Sequence, residues 1–388
     1  MTLDRDTFAQ LSQLNDPHGV LSMYVNADPQ GDSDPQAWRL RLQHQISALT
    51  ERMSDNGSRE RIDRMRRRID ALGEDRDWLL DPTTRGMGRA LFAPLSDGEV
   101  HRVSVQLPTE DFVTCEDSAY IRPLFEWWSK GSPAGIAVAA RDGLRIVDFR
   151  FGLATELATV EYDAGTEEWA EMKGPATSGS PFARHGVSHR ELFESKLNEH
   201  IRQFLSTTHT TLRRYADGQE WEYLVVTGEP QLVDAVLEHV NGDRPRVVRA
   251  QQVLWDVPTA MLIDTVLPDL EKGRREAEAA LVMRATETKR TARGLDETLA
   301  AIQQGQAEVL LMSEGHEWTG CRSADGQYTA GGVVPPGASE QDMMPEPHMG
   351  ERLVELALRN GTEVAMLREE EAERLGDGAD GLVALLRW

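Results

Sequence analysis

Two arginines and two histidines crowd into Arg184-His-Gly-Val-Ser-His-Arg190, at the end of a loop that opens KGPATSGSPF at Lys173. These side chains suit phosphate chemistry. An arginine fork binds phosphate in two places at once, and a histidine can move a proton near neutral pH. Neither His185 nor His189 has an acidic or cysteine companion at ligand spacing, so no metal is expected. Nothing in the sequence orients either ring, so both are weak candidates for catalysis. Ser188 and Glu191 have the spacing of a capping box. Phe193, Leu197, Ile201, Phe204 and Leu205 then recur at helical spacing. A helix is therefore expected to start near Ser188, with its free N–H groups and dipole facing the loop, an arrangement that attracts phosphate. From Lys173 to Arg214 there are seven Lys/Arg and four His against three Glu. Arg184, His185, Gly186, Ser188, His189 and Arg190 are the expected phosphate contacts, and a plain surface loop is the alternative. RERIDRMRRRID, with arginines at 59, 61, 64, 66, 67 and 68, is a second basic stretch. Arg64, Arg67 and Arg68 are its candidate RNA contacts, set against the commoner use of such a run as a solvated helix face.

These patches belong to a chain of 388 residues with a formal net charge of −23. So acidic a chain is not built for indiscriminate phosphate binding, which needs excess Lys and Arg. One local basic surface remains compatible with it, and no DNA partner is expected. The length fits two to three domains, and 40% hydrophobic residues fit a globular chain. Cys115 and Cys321 lie far apart, with no Cys-x-x-Cys pair; buried or half-buried thiols are expected, and no cofactor. No apolar run reaches the length of a signal peptide core or a membrane span, so a cytoplasmic location without membrane contact is the expectation.

The elements that must position the basic residues follow from periodicity. GVLSMYVNADP (19–29) reads as a strand, 36–53 and 59–71 as helices, and RALFAPL and VHRVSVQL as strands about the turn at 96–98. IRPLFEWWSK reads as a helix. The turn-rich Lys130-Gly-Ser-Pro-Ala-Gly135 marks a boundary. GIAVAA, LRIVDFRFG and ATELATVEY alternate like a meander. The basic loop and helix come next, then WEYLVVTGEP as a strand, QLVDAVLEHV as a helix and RPRVVRAQQ as a strand. A long helical stretch from Val257 to Arg293, a helix over 295–304 and a strand over 306–314 lead into 318–345, which reads as an irregular insertion. A helix at 349–359 and the strands EVAMLR and GLVALLRW complete the chain. The expected class is mixed α/β.

SMYVNADP, GIAVAARDGLRIVDF, the 174–190 loop with its helix, and AAIQQGQAEVLLMSEG with GADGLVALLRW resemble, in order, stretches of the archaeal and eukaryotic class-1 release factors and pelota. The resemblance is greatest to their bacterial relatives, the bacterial archaeo-eukaryotic release factor family. It implies three domains: an α/β N-terminal domain over 1–132, a ribonuclease-H-like middle domain over 133–256, and an α/β/α, pelota-like C-terminal domain over 257–388. In release factors the middle-domain loop carries Gly-Gly-Gln, whose glutamine positions water on the peptidyl-tRNA ester. With His200 as anchor, that motif falls on Arg184-His-Gly-Val-Ser188, and Val187 replaces the glutamine. Valine has no side-chain donor or acceptor with which to hold a water. No codon-reading motif stands out in the N-terminal region, and Cys321 alone does not imply the metal-binding minidomain of some relatives. The resemblance thus implies a ribosome-associated, tRNA-mimicking translation factor acting in rescue or hibernation under stress. Its partners would be rRNA, peptidyl-tRNA and a translational GTPase. A peptidyl-tRNA hydrolase using the 174–189 loop is one alternative; an RNA-acting or defence protein re-using the fold is another.

Overall fold

The computed structural model describes residues 3–29, 34–56, 59–161, 209–238, 240, 244–252, 254–332, 334 and 339–388. The chain divides into two compact units, Met1–Gly131 with Glu276–Trp388, and Ser132–Arg275.

The first unit holds helices α1 (Arg5–Ser12), α2 (Pro35–Asn56), α3 (Arg59–Ala71), α4 (Gly73–Leu80) and α5 (Arg122–Gly131). Strands β1 (Asn15–Asn26), β2 (Gly88–Pro94), β3 (His101–Val105) and β4 (Phe112–Ser118) form an antiparallel sheet in the order β3-β2-β1-β4. Along β1, Leu21, Met23 and Val25 enter one core with Trp38, Met65, Leu79, Leu91 and Val113. Val20, Ser22 and Tyr24 alternate with them, as the two-residue period requires. Tyr24 accordingly meets Phe92 and Trp127 instead. Gly19 has φ +119°, and a Cβ there would lie 2.8 Å from both Arg61 and Cys115. Glycine is needed at that bend.

The second unit is built on one five-stranded sheet. Its strands are β5 (Ala134–Ala140), β6 (Gly143–Arg150), β7 (Leu153–Glu161), β8 (Tyr223–Gly228) and β9 (Arg246–Arg249), in the order β7-β6-β5-β8-β9. β5–β6 and β6–β7 are antiparallel, whereas β5–β8 and β8–β9 are parallel. Only β6 therefore runs against the rest, the arrangement expected of a ribonuclease-H-like domain. Helices α6 (His209–Gly218) and α7 (Pro230–Leu237) cover one face through Leu212, Leu232 and Val236. The first part of α8 (Thr259–Glu287) covers the other through Leu262, Val266 and Leu270. Every residue of β5 is buried, which is why AGIAVAA is continuously apolar rather than alternating.

The rest of the first unit begins with the end of α8. Strands β10 (Thr291–Arg293), β11 (Ala307–Ser313), β15 (Glu363–Leu367) and β16 (Leu382–Leu386) form a mixed sheet in the order β10-β16-β11-β15. Helices α9 (Gly294–Gln303), α10 (Met349–Arg359) and α11 (Glu369–Glu373) accompany it. The stretch 318–345 is not irregular. It contributes β12 (Gly320–Arg322), β13 (Tyr328–Ala330) and β14 (Met344–Glu346), a small antiparallel sheet in the order β13-β12-β14. Strands of three residues are too short to show a period, and the Gly and Pro between them mark turns. The long helix likewise ends earlier than expected, at Glu287, because Thr291–Arg293 pairs with β16.

Candidate nucleic-acid interface

Arg184, His185, Gly186, Ser188, His189 and Arg190 lie outside the described residues, as does the helix expected from Ser188; the flanking elements are described. Among the described residues β7 is an edge strand, paired with β6 alone, and it ends at Glu161. It is described again from α6, which starts at His209.

Two charged clamps fix the root of this segment. Arg145 on β6 is buried. Its guanidinium donates to Glu156 on β7 at 2.8 Å, to the Val257 carbonyl at 2.7 Å and to the Thr259 hydroxyl at 2.7 Å. The Arg145 hydrogen bond is the main reason the Glu156 carboxyl is held below the usual carboxylate range. In the second clamp, Asp148 takes both arms of Arg150 at 2.7 Å and the Trp221 indole N–H at 2.7 Å. A Cβ on Gly135 would overlap the Trp221 ring, so the strand and the indole pack as closely as they do only with glycine there. β6, β7 and the start of α8 are thereby tied into one rigid base. At its other end the segment reaches Arg213 and Arg214, both exposed. Among the described residues neither makes an ion pair, and the Arg214 guanidinium lies 5.3 Å from the Tyr215 ring centre.

The second basic stretch is α3, which buries Ile62, Met65 and Ile69 against the first unit's core. This apolar stripe sorts its arginines. Arg61 turns inward, donating to the Cys115 carbonyl at 3.3 Å and pairing with Asp117 at 3.2 Å. Arg68 is largely covered: it donates to the Gly98 carbonyl at 2.8 Å and lies 3.4 Å from Asp97. Arg64 pairs with Glu60 at 2.9 Å, and its hydrogen bond holds the Glu60 carboxyl below the usual range. Arg67 folds onto the Asp63 carbonyl of its own helix. Arg66 is exposed and makes no ion pair among the described residues. Of the three expected contacts, Arg64 and Arg67 thus reach solvent, while most of Arg68 is used to hold the β2–β3 turn. Glu60, Asp63 and Asp70 are interleaved with the six arginines, leaving a formal charge of 6 − 3 = +3 on the helix. Such a surface can make a few phosphate contacts but cannot grip a duplex alone.

Cys115 is buried and Cys321 half-buried, and neither forms a disulfide. Burial pushes the Cys115 thiol up to about 11, which makes it unreactive at neutral pH. Among the described residues no group of three His, Cys, Asp or Glu could hold a metal. None of the described helices is long and apolar enough to cross a membrane.

Residues 133–267 match the sequence model of bacterial archaeo-eukaryotic release factor family 5. Over that span the chain is similar to the bacterial archaeo-eukaryotic release factors. The matched span nearly coincides with the second compact unit, and so with the sheet and clamps from which the basic loop springs. An uncharacterized protein of Bacillus subtilis, YocB, is 21% identical over 239 residues, covering 60% of this chain and 86% of its own. Among solved structures, Dom34 of Saccharomyces cerevisiae is similar at 8% identity over 73% of this chain and 75% of its own, with a TM-score of 0.40. The archaeal translation termination factor aRF1 aligns at 16% identity over 100% of this chain and 99% of its own, with a TM-score of 0.24.

No sequence pattern marked the residues that join the two halves of the first unit. Glu351, Arg352 and Glu355 on α10 are all buried. Glu351 accepts the backbone N–H groups of Ile121 and Arg122 at 2.8 Å each, and so caps α5. Arg352 donates to Glu355 at 2.8 Å and to Glu116 at 3.3 Å. Ile121, Arg122 and Glu116 lie more than 200 positions from their α10 partners, beyond any local pattern.

Proposed function

We propose that this release-factor-like chain is a ribosome-associated translation factor. It presents its basic middle-domain loop to rRNA or to the tRNA acceptor end, and it acts without reading a codon, in ribosome rescue or hibernation under stress. The match of residues 133–267 to a release-factor family carries this reading. Arg184, His185, Gly186, Ser188, His189 and Arg190 are the proposed contacts of the loop, and Arg64, Arg67 and Arg68 those of α3. Val187, where release factors place glutamine, supports binding rather than ester hydrolysis, because its side chain cannot hold a water. In this reading the chain works as an N-terminal domain over 1–132, a middle domain over 133–256 and a C-terminal domain over 257–388, the last offering a surface to a translational GTPase. Similar proteins are described with partners of their own: one solved structure is of ribosome-bound archaeal Pelota and ABCE1, and Dom34 is described as interacting with Hbs1.

The test is cosedimentation with purified 70S ribosomes across a salt series, wild type beside Arg184→Ala/Arg190→Ala. Binding that falls with salt, and that the double change weakens, is the expected result. Absence of the protein from the pellet at low salt overturns the proposal. A peptidyl-tRNA release assay then separates a binder from a hydrolase. Release that disappears in His185→Ala or His189→Ala would replace the binding reading with the catalytic one.

A further inference from the structure

The first unit contains an open cavity of about 430 Å³ with an aromatic wall that includes Tyr24, Phe112, Tyr120 and Trp127. The rings are fixed in place. The Tyr24 hydroxyl donates to the Tyr120 carbonyl at 2.6 Å. Trp127 stands edge-on to Tyr24 with centroids 5.8 Å apart, and Phe112 packs on Tyr120 at 4.9 Å.

Most of the charged groups in the lining are already committed. Asp111 accepts from Arg41 at 2.5 Å and from the Asn26 N–H at 2.7 Å. Glu317 accepts from Arg122 at 2.8 Å and from the Gly350 N–H at 3.2 Å. Lys130 lies 3.0 Å from Glu314. Glu126 differs: it is one of the lining residues, and its carboxylate has no hydrogen-bond or ion-pair partner among the described residues. Burial pushes this carboxyl up. Arg122 and Lys130 oppose the shift, whereas Glu314 and Glu110 add to it. A half-buried carboxylate without a counter-ion is costly, and the faces of aromatic rings attract cations.

We propose that this cavity binds a primary ammonium group, on a small organic amine or a lysine side chain, with Glu126 as its counter-ion and the aromatic wall around its methylenes. An anion is disfavoured because Arg122 and Lys130 are both paired. A bare metal ion is disfavoured because the wall offers ring carbons where it would need oxygen ligands.

Isothermal titration of the full chain tests this with putrescine, Nα-acetyl-lysine amide and the neutral 1,4-butanediol. Saturable binding of at least one amine, none of the diol, and at least a tenfold loss in Glu126→Gln are expected. Putrescine alone binding would identify a free diamine as the ligand; the lysine amide alone would identify a protein side chain. Glu126→Gln changes the net charge by one, so non-specific attraction of amines to the acidic chain would be nearly the same in both proteins. Equal affinity in wild type and Glu126→Gln, or no saturable amine binding into the millimolar range, overturns the proposal. Circular dichroism confirms that the variant is folded, and Glu126→Asp, which keeps the charge, is expected to retain part of the affinity.

Discussion

Arg89 has 1% of its surface exposed and no carboxylate within hydrogen-bond reach among the described residues. Its guanidinium donates instead to the carbonyls of Trp78, Leu79, Asp81, Thr84 and Gly86 at 2.6–3.1 Å. Trp78 and Leu79 end α4, where unpaired carbonyls and the negative end of the helix dipole favour a cation. Burial still lowers the pKa of Arg89, with Asp81 opposing it. Arg89→Met would leave several buried carbonyls without donors, each worth about 1–3 kcal/mol. A loss of at least about 3 kcal/mol in urea unfolding is expected. Gly135→Ala tests the middle-domain base in the same way. Its methyl group would press into Trp221, and overpacking of this kind costs about 1–3 kcal/mol. If the Trp221 indole then leaves Asp148, the tryptophan emission of the folded protein will shift. Both positions looked ordinary in the sequence, because their importance depends on what the fold brings to them.

At the scale of elements, α3 separates structural from surface charge. Arg66→Ala/Arg67→Ala removes two exposed cations that tie no other element to α3, Arg67 reaching only the Asp63 carbonyl of its own helix, so stability is expected to change by less than about 0.5 kcal/mol. If α3 contacts RNA, the double change lowers the salt dependence of ribosome binding by roughly two phosphate contacts. Arg61→Ala/Arg68→Ala is expected to do the reverse, destabilising the β1–β4 sheet more than it alters the salt slope. Unchanged ribosome binding in Arg66→Ala/Arg67→Ala would assign the run to solvation alone. The arginine run could be read from the sequence, and Ile62, Met65 and Ile69 gave its buried face. Which arginines turn inward could not, since Asp97, Gly98 and Asp117 lie on other elements. The long regular pieces were legible for the same reason: α10, β5 and β11 carry strong periods or continuous apolar runs. β4, β10 and the three-residue strands β12–β14 were not, because pairing rather than pattern makes them strands. α4 was also missed; its eight residues lack a clear amphipathic stripe.

At the scale of the molecule, Glu351 ties two distant parts of the chain together. It is fully buried, and burial followed by the nearby Glu355 raises its carboxyl from 4.5 to about 8, against the hydrogen bonds from Ile121 and Arg122 and the charge of Arg352. A carboxyl whose folded pKa lies above its unfolded value holds its proton more tightly in the folded state. Between those two values the unfolded chain carries fewer protons than the folded one, so stability falls as pH rises. The contribution of Glu351 is therefore greatest below about pH 4.5 and is lost progressively up to about pH 8, by at most about 1.4 kcal/mol per pH unit. Glu346 is raised by burial and acts in the same direction. Glu317, held low by the His348 and Arg122 interactions despite burial, acts in the opposite direction at acid pH. The first unit is thus expected to loosen from pH 5 to pH 8. Hydrogen exchange of peptides containing the Ile121 and Arg122 amides is the direct measurement, because those N–H groups bond to Glu351. Their protection, corrected for intrinsic exchange, is expected to fall across this range in the wild type. In Glu351→Gln, which cannot ionise but keeps an acceptor oxygen, it is expected to vary less with pH. Equal pH dependence in the two proteins would show that Glu351 is ionised throughout, stabilised by the α5 cap and by Arg352.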